Sequence, residues 1–227
     1  PDGLMPALIA WMEQRHAWDI HPDHILRAPN VLNSISMATN LFTEPGDCIV
    51  VQPPVFFDFA DIIAENGRRM VENPLVLSSG RYEMNFDELA TCAADPSTTM
   101  LFLCNPHNPV GRVWTKTELA QLGAICRKNG VIVVSDEIHA DITFQDHIYT
   151  PFASISDADA QNSITWLSPA KSFNIAACCG AFTVVSDENR RNALKAENSR
   201  LTVNKNNAFA SVAMEVAYKD GGPWLDA

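Results

Sequence analysis

The stretch "TMLFLCNPHNPVGRVWTKTELAQLGAICRKNGVIVVSDE", Thr99 to Glu137, decides the fold. It opens on a short apolar run (99–104), turns through two Asn-Pro steps, and continues as a helical pattern from 116 to 129. It closes on a second β-branched run, 131–137. Thr115 followed three positions on by Glu118 has the form of a capping box, which marks the helix start. Continuous apolar strands joined through a helix belong in a mostly parallel sheet covered on both faces.

Outward from this unit the alternation repeats. Strand-like runs occupy 47–52, 69–77, 163–168 and 180–185; amphipathic helical segments occupy 4–17, 33–43, 56–66, 86–94, 187–200 and 206–219. The expectation is a single α/β domain without internal repeat, low-complexity tract or long linker. With 227 residues, 47% hydrophobic and 19% charged, the chain can bury a sizeable core. A net charge of −11 argues against a phosphate-backbone partner, because nucleic-acid binders present a basic stripe. No apolar run reaches membrane-spanning length and no signal peptide is recognisable, so neither membrane nor nucleic acid is expected as a partner. The six cysteines, at 48, 92, 104, 126, 178 and 179, form no C-x-x-C pair. Free thiols in a reducing cytoplasm are expected, with no metal site. Both ends, "PDGLM" and "GPWLDA", read as cuts within a longer protein.

In such sheets ligands bind beyond the carboxyl ends of the strands. The residues standing there are "PPVFF" after 47–52, "NPHNPVGR" after 99–104, Asp136 at the end of 131–135, and "SPAK" after 163–167. Lys171 is the one lysine in an apolar setting, "TWLSPAKSFNIAACCGAF". It is either a loop lysine that snorkels to water or a desolvated amine, whose neutral form is a nucleophile able to form a Schiff base. Asp136 ends an apolar strand, where a lone carboxylate is costly unless paired. A helix cap, an ion pair, or a partner for a protonated heterocyclic nitrogen would each account for it. A lysine amine and such an acid together are what pyridoxal phosphate enzymes require. His107, between the asparagines, is expected to be a packed turn histidine, and Cys178 and Cys179 to be buried, inert thiols.

The order "NPHNPVGRVW", "SDEIHAD", "SPAKSFNIA", with "YTPFASIS" and "AYKDGGPWLD", resembles fold-type I pyridoxal phosphate enzymes of the aminotransferase class I/II superfamily. Within it the sequence is most similar to the MalY-like cystathionine β-lyase (C–S lyase) branch, from about Met12 to Ala227. The resemblance implies a three-layer α/β/α large domain with a mixed, mostly parallel sheet, and pyridoxal 5′-phosphate as cofactor. It implies that Lys171 holds the cofactor covalently and moves the substrate Cα proton. Asp136 faces the pyridine nitrogen, Asn108 the 3′-oxygen, and Phe56 stacks on the ring where many relatives have Tyr. His139 stands where many aminotransferases have a Tyr on the 3′-oxygen, or is a packed imidazole behind it. Ser168 matches a phosphate-binding serine; Asn30, Val31 and Leu32 open the helix whose N–H groups favour an anion. Cys179 occupies the position of an aminotransferase arginine.

The same resemblance implies an amino-acid substrate and a homodimer in the full-length protein. The activity implied is β-elimination from L-cystathionine or a related L-cysteine S-conjugate, giving thiol, pyruvate and ammonia. An aminotransferase, or a regulatory protein acting through a protein partner, are the other readings. Relatives add an N-terminal arm with a tyrosine and a C-terminal small domain with a carboxylate-binding arginine, and neither has a match here.

Overall fold

The central apolar runs, 48–51, 98–104, 132–136 and 163–167, become strands of one sheet, and their β-branched, aliphatic and aromatic residues are buried almost throughout. The structure, a computed structural model, describes residues 3–144, 146–178, 180–205 and 207–227. In chain order the elements are α1 (Leu4–His16), β1 (Ile25–Ala28), α2 (Val31–Phe42), β2 (Cys48–Val51), α3 (Asp58–Glu65) and β3 (Arg69–Glu72). Then come β4 (Val76–Ser78), β5 (Arg81–Glu83), α4 (Phe86–Ala94), β6 (Thr98–Cys104), α5 (Lys116–Asn129) and β7 (Ile132–Asp136). The rest are α6 (Asp157–Gln161), β8 (Ser163–Leu167), β9 (Ala181–Val184), α7 (Glu188–Arg200), α8 (Ala208–Asp220) and α9 (Gly222–Leu225).

Seven strands form a mixed, mostly parallel sheet in the order β1-β9-β8-β7-β6-β2-β3. The pairs among β3, β2, β6, β7 and β8 are parallel, and β9 runs antiparallel to both β8 and β1. Along β6 the side chains alternate: Leu101 and Leu103 pack with Leu89 of α4 and Leu119 and Leu122 of α5. Met100 and Phe102 pack with Ile35 of α2, Phe59 and Ile63 of α3, and Leu194 of α7. This two-residue period produces three layers from one strand sequence. At the other end of the sheet, α1 and α8 cover β8, β9 and β1 through Leu4, Leu8, Trp11, Met214 and Tyr218.

The expected helix start at Thr115 forms a complete capping box with Glu118, and α5 ends on Gly130 in the left-handed conformation. One expectation is revised. The run 69–77 is not one strand: the regular pairing of β3 with β2 ends at Glu72, and beyond Asn73-Pro74 the chain leaves the sheet as β4, which pairs with β5 in a separate hairpin. The edge strand β1, which carries Arg27 and pairs only with β9, was not among the expected strands. The final helix begins at Ala208, capped by Asn207; Asn206 lies outside the described residues. Among the described residues no helix is long and apolar enough to cross a membrane, and no cluster of His, Cys, Asp or Glu could hold a metal ion.

Candidate active site

The parallel strands β2, β6, β7 and β8 all end on the same edge, and there the polar residues gather. β6 and β7 end in register, Cys104 opposite Asp136, and the Asn105 N–H donates to the Asp136 carbonyl at 3.0 Å. A cavity of about 500 Å³ opens beyond them. Asn108, Asp136, His139, Ser168 and Lys171 line it from the strand ends, Phe56 lines it from the segment between β2 and α3, and Asn30, Val31 and Leu32 line it from the start of α2. The residues that the resemblance assigns to the cofactor site, Cys179 apart, therefore line one cavity.

Asp136 forms its floor and is 5% exposed. Among the described residues one hydrogen bond reaches its carboxylate, from the Ile138 N–H to Oδ1 at 3.2 Å. Burial pushes its carboxyl up to about 6, opposed by that N–H and by the charge of Lys171. An acid so placed gains from a cationic or N–H partner on the cavity side. His139 stands beside it, partly buried; burial, and then the Lys171 charge, lower its pKa, and its Nδ1 is buried without a partner among the described residues. The Asn108 backbone N–H donates to Cys104 Sγ at 3.3 Å, which fixes the turn after β6. Burial, then the Asp136 charge, push the Cys104 thiol well above its usual range, so it is an inert wall.

The Phe56 ring is held at 5.1 Å from Phe57 and edge-on to Phe59 at 5.9 Å; Phe59 stands edge-on to Phe102 of β6 at 5.2 Å. This aromatic ladder fixes the plane of Phe56 from the core outward. At α2, Asn30 caps the helix by accepting the Asn33 N–H at 2.8 Å, and its own Nδ2 donates to Asn33 Oδ1. The first-turn N–H groups of Val31 and Leu32 have no carbonyl a turn earlier to pair with, and they carry the positive end of the helix dipole.

The Ser168 hydroxyl donates to the Gly180 carbonyl at 2.7 Å and accepts from the Ala170 N–H at 3.2 Å, so its proton is engaged with the backbone. Gly180 takes φ +159°, and a Cβ there would stand 2.8 Å from Met214 Sδ. Of the two readings left open for Lys171, the snorkelling loop lysine is the one its exposure agrees with: the turn after β8 leaves the residue exposed, while it still lines the cavity. His107 is packed as expected, its Nε2 3.0 Å from the Pro54 carbonyl and its ring edge-on to Trp114, and it is not part of the cavity. Cys178 is half-buried, more open than expected, because it lies in a short 3₁₀ turn and not in β9. Cys179 lies outside the described residues.

Two buried carboxylates escaped the sequence reading. Glu137 accepts from Ser135 Oγ at 2.6 Å, from the Phe152 N–H at 3.0 Å, from Asn105 Nδ2 at 3.4 Å and from the Tyr149 hydroxyl. Burial pushes it up to about 7 against these donors. Asp141 joins Trp11, His16 and Ser172. The position of Glu137 directly after Asp136 at a strand end was a usable signal, since neighbours on a strand face opposite ways; nothing in the sequence pointed to Trp11 or His16.

A sequence model of the family described as aminotransferase class I and II matches residues 4–221. The chain belongs to this family. It is 46% identical over 220 residues to the cystathionine beta-lyase PatB of Bacillus subtilis, covering 97% of this chain and 57% of that protein. It is 30% identical over 230 residues to the protein MalY of Escherichia coli, covering 100% of this chain and 57% of MalY. The crystal structure of cystalysin from Treponema denticola, which contains a pyridoxal 5′-phosphate cofactor, superposes with a TM-score of 0.95 at 32% identity, over 100% of this chain and 57% of that one. The α/β sheet described above is thus the family's large-domain fold, and the chain spans a little over half the length of these relatives.

Proposed function

We propose that the chain is the cofactor-binding large domain of a pyridoxal phosphate-dependent C–S β-lyase. Its substrate would be L-cystathionine or a related L-cysteine S-conjugate, and its products a thiol, pyruvate and ammonia. The observation that carries the reading is the convergence of one buried carboxylate, Asp136, and one lysine amine, Lys171, on a single cavity closed at its far end by the start of α2.

The residues present fit this cofactor. Asp136 has a carboxylate with one hydrogen bond and no ion-pair partner among the described residues, which suits a protonated ring nitrogen. The orphaned Nδ1 of His139 and the Asn108 side chain suit the ring's oxygen substituent. Phe56 would cover one ring face. The N–H groups of Val31 and Leu32 would receive the phosphate, with Ser168 beside them once its hydroxyl turns from Gly180. Lys171 Nζ would hold the aldehyde carbon covalently. Bound there, the cofactor supplies an electron sink for the pair left when a bond to the substrate Cα breaks.

The protein's own groups do the rest. Lys171 Nζ, displaced by the substrate amine, takes the Cα proton. Asp136 keeps the proton on the ring nitrogen, an interaction that strengthens as negative charge develops. Sulfur then leaves Cβ as thiolate, and one water converts the remaining three-carbon unit to pyruvate and ammonia. Amino-transfer shares the early steps, and the family's name favours keeping it as the second reading. From the family resemblance we place this domain in a homodimer in the full-length protein; five free cysteines among the described residues are in keeping with a cytoplasmic location.

The test is product analysis on the full-length protein with cystathionine, with and without 2-oxoglutarate. Equal pyruvate and thiol without any keto-acid requirement is the expected result. Glutamate formation that depends on 2-oxoglutarate, with little thiol released, would transfer the assignment to an aminotransferase.

A further inference from the structure

Asp141 does not line the cavity, yet it joins three separate parts of the chain behind it. Its Oδ1 accepts from Trp11 Nε1 at 2.9 Å and lies 2.7 Å from His16 Nε2, both on α1. Its Oδ2 accepts from Ser172 Oγ at 2.8 Å. The Asp141 and His16 side chains are 5% and 9% exposed, and Ser172 is 5% exposed. Burial pushes this carboxyl up, but His16, Trp11 and Ser172 together hold it below the usual carboxylate range. A buried carboxylate satisfied on both oxygens holds its partners to one arrangement.

Ser172 is the residue after Lys171. Within the turn, the Phe173 N–H reaches the Pro169 carbonyl and the Ile175 N–H the Ala170 carbonyl, both at 3.0 Å, which shapes the turn without attaching it to the sheet. The Phe173 ring anchors the turn by packing on Trp11 at 5.6 Å, and two hydroxyls that bracket the lysine give it direction: Ser168, bound to Gly180 on one side, and Ser172, bound to Asp141 on the other. Asp141 also ends the segment that begins with Asp136 and contains His139. That segment is tied back on itself by the Ala140 N–H donating to the Glu137 carbonyl at 3.0 Å. The Ser172–Asp141 bond is therefore a direct side-chain link between the turn bearing Lys171 and the segment bearing Asp136.

We propose that Asp141 is a positioning residue: through Ser172 it sets where the Lys171 amine stands relative to Asp136, with α1 as its anchor. The inference rests on the reading that Lys171 holds the cofactor. An exposed lysine has many rotamers, so its placement depends on a fixed backbone. A displacement of about 1 Å can slow a positioned reaction by about 100-fold.

The experiment follows covalent capture on mixing the full-length protein, freed of cofactor, with pyridoxal phosphate. The Lys171 nitrogen replaces the aldehyde oxygen as C=N, releasing water, and the visible absorbance reports the rate. Ser172→Ala removes one oxygen and leaves Trp11 and His16 on Asp141. It is expected to slow capture by about 10- to 100-fold and to lower kcat more than it raises KM, with little change in melting temperature. Ser172→Thr, which keeps the hydroxyl, is expected to recover most of the rate. Asp141→Asn keeps the side chain's shape and is expected to slow capture as well; it decides the matter should Ser172→Ala not fold. Borohydride trapping and peptide mapping separate the two readings. A label on Lys171 with wild-type capture rates in the variants overturns the positioning role alone. A label on another lysine overturns the functional reading and this inference with it.

Discussion

Asp136→Asn should make the cofactor-free protein more stable at alkaline pH while weakening its hold on the cofactor. The carboxyl is buried with a single hydrogen bond, and burial raises it from 3.8 to about 6. A carboxyl whose folded pKa lies above its unfolded value favours folding only while it is protonated. That contribution is fully present below about pH 4 and is lost as pH rises through about 6. The gap corresponds to about 3 kcal/mol at pH 8, which water in the open cavity reduces to about 1–3 kcal/mol. Asparagine retains the oxygen that accepts the Ile138 N–H and carries no charge. The variant should therefore match the wild type near pH 4 and exceed it by that amount at pH 8. Glu137, pushed up to about 7 by its own burial, titrates in both chains and cancels from the difference. Urea unfolding across this pH range is the assay. A difference that stays flat with pH, or a variant less stable than wild type at pH 8, would refute the argument that Asp136 is held at a cost to the fold.

Substitutions at two further positions test other parts of the structure. Glu137→Ala should cost at least about 3 kcal/mol, because the Tyr149 and Ser135 hydroxyls and the Phe152 N–H would each be left buried at about 1–3 kcal/mol apiece; Glu137→Gln should cost markedly less, and urea midpoints would rank the two. Thr115→Ala removes the acceptor of the Glu118 N–H and should lower stability by about 1 kcal/mol without moving cofactor affinity, a pairing that thermal melts and cofactor titration together would check.

Much of the fold was legible because its central strands are apolar runs that alternate with amphipathic helices. β6 and β7 and α5 between them were readable from Thr99 to Glu137, including the capping box at Thr115. What was not legible was short or depended on partners distant in sequence. β1 has four residues and exists through its pairing with β9, some 155 positions on. The residues lining the cavity were legible from their place just after strands, since parallel strands must all end on one edge. The setting of Lys171 was legible only as two alternatives: composition places it in an apolar run, while the turn that follows β8 leaves it exposed. Asp141 was equally hidden, because Trp11, His16 and Ser172 meet only when α1 closes over β8 and β9.

The adjacent carboxylates at the end of β7 show how narrowly the sheet specifies the site. Asp136 faces the cavity and Glu137 faces Tyr149 and Phe152, because successive residues of a strand point to opposite sides. A slip of one residue would exchange them. Glu137 would then occupy the cavity floor with a longer side chain, and Asp136 would stand among donors set for a longer reach. Strand β7 is paired on both sides, with Met100 to Cys104 of β6 and with Ser163 to Trp166 of β8. Val133 faces the α5 layer and Val134 the α2 layer, so a slip would also turn each against the wrong packing. The register that buries two valines correctly is the same register that delivers Asp136 to the cavity.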